Sequence, residues 1–89
     1  MKTTTIIKNL IRQFSSDSSN HWAYRRDIVK CLKALNIPIM ERDEAFQELI
    51  KAGEIEAFEA GIFDVTCYGL IEHHSQVGRW NEYYNLSHM

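Results

Sequence analysis

Residues 45–70, AFQELIKAGEIEAFEAGIFDVTCYGL, change hydrophobic period part way along, and that change decides the fold. Up to Lys51 the apolar residues Ala45, Phe46, Leu49 and Ile50 recur at helical spacing, whereas beyond Gly53 apolar residues alternate. The first half is predicted to end a helix running from about Met40 to Ala52, with Gly53 in the left-handed position that closes many helices. The second half is predicted as a two-stranded antiparallel hairpin. Pairing Ile55 with Val65 and Ala57 with Phe63 keeps these residues and Cys67 on one inward face. Glu59, Ala60 and Gly61 then form a three-residue turn. The same register sets Phe58 opposite Ile62, and Glu56 opposite Asp64 on the outer face. That like-charge pair costs stability unless a cation lies over it.

Upstream, Thr3, Thr4 or Thr5 can cap a first helix that carries Ile6, Ile7, Leu10, Ile11 and Phe14 on one stripe. The polar run SSDSSN, Ser15 to Asn20, reads as a loop. A second helix is predicted from about Trp22 to Leu35, with Tyr24, Ile28, Cys31, Leu32 and Leu35 on its apolar side and Arg26, Lys30 and Lys33 on another. Pro38 removes a donor and biases Ile37 toward extended backbone, so this helix should stop near Leu35 or Asn36. In the tail, Val77, Trp80 and Tyr84, with Tyr83 and Leu86 beside them, predict a short final helix from about Gln76 to Leu86, weakened by Gly78.

A chain of 89 residues, 45% hydrophobic and 25% charged, is expected to form one globular domain over residues 1–89. Lys8, Asn9 and Arg12 interrupt the apolar start before a signal-peptide core can form, and no run is long enough to cross a bilayer. Cys31 and Cys67 form neither a CxxC pair nor a disulfide framework, and the cytoplasm is the expected compartment. Both cysteines lie in apolar contexts where inert thiols are usual. His73 and His74 are adjacent, and adjacent side chains diverge on a helix or a strand, so a two-ligand metal pair is not expected. With no nucleophile-elbow, phosphate-loop or zinc-protease motif, neither catalysis nor a cofactor is expected.

Three helices followed by a hairpin resemble the winged helix-turn-helix superfamily over about Thr3 to Leu70. The segment AFQELIKAGEIEAFEAGIFDVT carries the resemblance as a helix end, its closing glycine and two wing strands. The resemblance implies an α+β winged helix whose third helix enters the DNA major groove while the wing grips the backbone. By position, Glu41, Arg42, Glu44, Gln47, Glu48 and Lys51 would face the groove.

The charge distribution departs from that pattern. Residues 1–40 hold seven basic and two acidic side chains, a net of +5, and residues 41–72 hold two basic and nine acidic ones, a net of −7. Carboxylates on the third helix and wing oppose the phosphate contacts on which DNA affinity depends. The expected function is therefore a small non-enzymatic regulatory module whose acidic third helix and wing dock on a basic, nucleic-acid-binding type of protein. Its expected contact residues are Glu41, Glu44, Glu48, Glu56, Phe58, Ile62, Asp64 and Tyr68. The alternative is a DNA-binding transcriptional regulator using Lys8, Arg12, Arg25, Arg26, Lys30 and Lys33 on the first two helices. Against both stands the plainer reading that charged helix and sheet faces keep a small domain solvated. Trp22 and Tyr24 read as core; Trp80, Tyr83 and Tyr84 read first as core closure and second as a homodimer contact.

Overall fold

Ile7 and Ile11 are one helical turn apart, and burying that stripe drives the first helix, α1, Thr3–Ser16, against the rest of the chain. The computed structural model describes residues 1–16, 22–60 and 65–71. Within them α1 is followed by β1 (Ala23–Tyr24), α2 (Arg25–Ala34), α3 (Ile39–Lys51), β2 (Ile55–Ala60) and β3 (Val65–Leu70). The architecture is α+β: three helices against one antiparallel sheet of strand order β1-β3-β2. The expected final helix and its Trp80, Tyr83 and Tyr84 lie outside the described residues, as do His73 and His74.

Both α2 and α3 end in the same hydrogen-bonded motif. At α2, Ile37 N–H donates to Leu32 O (3.1 Å) and Asn36 N–H to Lys33 O (3.0 Å); at α3, Glu54 N–H donates to Leu49 O (3.0 Å) and Gly53 N–H to Ile50 O (3.1 Å). Each motif needs a left-handed residue, and Asn36 (φ 61°) and Gly53 (φ 71°) supply it. The second helix thus stops where expected, with Asn36 closing it. A Cβ at Gly53 would meet nothing within 4 Å, so glycine is favoured there by backbone conformation alone.

Two expectations are corrected. The start of the predicted second helix is instead a short strand, with Ala23 opposite Tyr68 and Tyr24 opposite Cys67. The hairpin also has a different register: Ile55 lies opposite Leu70, Ala57 opposite Tyr68, Phe58 opposite Cys67 and Ala60 opposite Val65. Relative to the expected pairing with Val65, Ile55 is offset by five residues, an odd number, so β3 turns over. Leu70 and Tyr68 now face the helices while Cys67 passes to the other side. The physical reason is area, since the observed register buries Leu70 and the Tyr68 ring in the main core. Glu56 consequently opposes Gly69, not Asp64. Gly61, Ile62, Phe63 and Asp64, and so the expected turn, lie outside the described residues.

The main core joins Ile7, Ile11, Ile28, Leu32, Ala45, Phe46 and Leu49 of the helices to Ala23, Ile55, Tyr68 and Leu70 of the sheet. Ala57 shares that sheet face by register but is exposed. On the opposite face Trp22 meets Phe58 edge-on, with ring centroids 5.4 Å apart at 81°, beside the buried Cys67.

Candidate protein-binding surface

Helix α3 is amphipathic in two senses: Arg42, Ala45, Phe46 and Leu49 are buried, while Glu41, Asp43, Glu44, Gln47 and Glu48 are exposed. Glu41, Glu44 and Glu48 follow one another at spacings of three and four, which lines three carboxylates along one side of the helix. Glu41 accepts a 2.7 Å hydrogen bond from Thr3 Oγ1 at the start of α1. Glu44 and Glu48 have no cation within ion-pair distance among the described residues. They border an open groove whose described lining is Asp43, Glu44, Gln47, Glu48, Lys51 and Ala52. The expected contact residues of α3 therefore share one exposed surface.

The hairpin does not extend that surface as expected. Phe58 is 5% exposed and Tyr68 2%, so neither presents its ring outward. Tyr68 stacks on Phe46 with centroids 4.7 Å apart, and its hydroxyl accepts a 2.6 Å hydrogen bond from Arg25 Nη1. Burial raises its pKa, although the Arg25 charge pulls the other way. Glu56 is half-buried, and Glu59 accepts a 3.3 Å bond from Thr66 Oγ1. Ile62 and Asp64 lie outside the described residues.

The cations proposed for nucleic acid divide into two groups. Lys8 bonds Glu54 at 3.0 Å, and Arg12 donates to Asn9 Oδ1 at 3.0 Å. Arg25 reaches Tyr68, bonds Asp43 at 3.2 Å and lies 4.9 Å over the Phe46 ring. Partial burial opposes the Arg25 charge, but Tyr68 and Asp43 outweigh it and its pKa rises. Arg26 sits 5.1 Å over the Tyr24 ring and 3.7 Å from Asp27, with its side chain still 75% exposed. Lys30 and Lys33 are exposed on α2.

Arg42, placed by sequence among the groove-facing residues, is 6% exposed. It precedes Ala45 by three residues and Phe46 by four, on the same buried stripe, and that spacing was the available signal. Among the described residues no three His, Cys, Asp or Glu side chains group closely enough to hold a metal ion. No described helix is long and apolar enough to cross a membrane.

Comparison with protein-family models, curated proteins and solved structures yields no match for this chain.

Proposed function

We propose that the chain is a winged-helix type of non-enzymatic regulatory module that docks the acidic face of α3 on a basic protein partner. The observation that carries this reading is the exposed Glu41, Glu44 and Glu48 stripe, whose last two members have no cation within ion-pair distance among the described residues. Like charges at these spacings each cost an isolated helix about 0.2–0.5 kcal/mol. A basic partner would offset that cost and gain orientation and association rate from the field. The order of three helices and a following hairpin supports the fold assignment. With Phe58 and Tyr68 buried, the docking surface centres on α3. In the cell such a module would act as an adaptor or inhibitor in the cytoplasm, competing with a polyanion for its partner's basic surface.

Affinity capture from cell extract, with and without nuclease, tests this. Wild-type protein should retain lysine- and arginine-rich proteins after nuclease treatment. The Glu44→Lys/Glu48→Lys variant should lose most of that capture while keeping the same circular dichroism and melting temperature. Equal capture by the folded variant would refute α3 docking.

Exposure of Arg26, Lys30 and Lys33 on one helix favours a second reading, direct contact with DNA phosphates. It requires duplex binding that weakens steeply with salt and disappears in Arg26→Glu/Lys30→Glu. No duplex binding at low salt would eliminate it.

A further inference from the structure

Between α2 and α3 lies a recess of about 220 Å³ lined by Arg25, Val29, Lys33, Ile39, Arg42 and Asp43. Three of these six side chains are cationic and one is anionic, leaving a net of +2 on the described lining. The one carboxylate, Asp43, is bonded by Arg25 at 3.2 Å. Among the described residues Arg42 is the only charged side chain in the buried class, and its Nε and Nη1 have no hydrogen-bond partner there. A guanidinium remains charged, and a buried one without acceptors is among the costliest groups to leave unsatisfied. The first turn of α3 also contributes Ile39 to the recess, and Pro38 gives that turn no side-chain cap. The positive end of a 13-residue helix thus adds to the same field.

From this arrangement we infer that the α2–α3 recess binds a phosphate dianion, free or as a monoester, with Arg42 as its principal ligand and Lys33 as a second charge at the rim. Guanidinium N–H groups match oxyanions in geometry, and a net of +2 suits a dianion. At about 220 Å³ the recess has room for a single phosphate group, which favours a small phosphate as its occupant. This inference does not depend on a protein partner for α3.

The test is NMR titration of the full chain with inorganic phosphate, adenosine monophosphate or a 12-base-pair duplex, each at ionic strength matched with chloride. The Arg42 Nε–Hε resonance and the backbone amides of residues 39–43 should shift saturably with phosphate or the monoester, at millimolar or lower concentration. Arg42→Met should abolish the saturable shift of those amides, and Lys33→Gln should weaken binding roughly fivefold. Phosphate stabilises most proteins through exclusion from their surfaces, a general effect that both variants keep and that therefore does not imitate this result. Linear shifts equal to those in chloride, or saturation surviving Arg42→Met, would overturn the inference. So would a duplex that moves these resonances where neither small phosphate does. If Arg42→Met does not fold, Lys33→Glu at the exposed rim decides the matter: an unchanged phosphate titration in that variant rejects the site.

Discussion

Helices α2 and α3 carry opposite charges to different ends. On α2 the guanidinium of Arg25 turns into the domain, where Tyr68, Asp43 and the Phe46 ring hold it. On α3 the carboxylates of Glu44 and Glu48 stay at the surface without an ion-pair partner among the described residues. A net charge per segment counts both kinds alike. The availability of a charge depends on what is already bonded to it, and by that measure the basic half has less to offer a ligand than its +5 suggests.

The largest expected difference between the two helices is in stability. Arg25→Ala removes a charged hydrogen bond to a buried hydroxyl and a cation over an aromatic face, a loss of about 2–3 kcal/mol. The partly exposed Asp43 pair adds little to that figure. Lys30→Ala and Lys33→Ala, on the exposed side of the same helix, should each fall within about 0.5 kcal/mol of wild type. Urea unfolding of all three variants checks the contrast. A double-mutant cycle of Arg25→Ala with Tyr68→Phe should give a coupling of about 1 kcal/mol, and additive losses would show that Arg25 acts through packing alone.

A smaller effect appears with pH, and it comes from the buried strand against which Arg25 and Arg26 lie. Burial, helped by the Glu59 charge and opposed by Arg26, pushes the Cys67 thiol up to about 11. The unfolded chain loses that proton near pH 9, so between about pH 9 and 11 it binds fewer protons than the folded chain. Stability from this group is present in full below about pH 9 and is lost as pH rises toward 11. The expected fall between pH 8 and 10 is about 1–1.5 kcal/mol. Cys67→Ala should flatten the fall near pH 9, leaving the part due to the raised Tyr68 phenol at higher pH. A slope unchanged by Cys67→Ala in chemical denaturation would remove the thiol as its source.

The helices were legible in the sequence because their information is local. Ile7 and Ile11, Ile28 and Leu32, and Ala45, Phe46 and Leu49 all lie within a turn or two of one another, and all are buried. The hairpin's existence was equally local, marked by the change of period at Gly53. Its register was not, because Leu70 and Tyr68 gain their burial from Phe46 and the remote Ala23 as well as from β2. Alternation alone allowed Val65 to face inward as readily as Tyr68, and an odd offset reversed the strand. Strand β1, with only Ala23 and Tyr24, has no period to read; its pairing spans more than forty residues of sequence. The acidic face of α3 survives this correction because helical geometry fixes which residues adjoin. Of the hairpin part of the expected site, Tyr68 was lost with the register, whereas Phe58 keeps its expected face and is covered there by Trp22.

The smallest predicted effect bears most directly on why α3 keeps its acids free. Glu44 stands three residues after Glu41 and four before Glu48, so neutralising it relieves two like-charge contacts at once. Glu44→Gln should therefore stabilise the domain by about 0.3–0.5 kcal/mol at low ionic strength, and the gain should shrink as salt screens the stripe. Glu48→Gln relieves the contact with Glu44 but also removes the attraction to Lys51 three residues on, so it should change stability less than Glu44→Gln does. Both can be read as shifts in the urea midpoint at two salt concentrations. A chain selected only for stability would have little reason to retain Glu44. If the substitution stabilises the domain and weakens partner capture together, the carboxylate is held for binding at a cost to folding. If it stabilises the domain with capture unchanged, the stripe is a solvated helix face and the docking surface lies elsewhere.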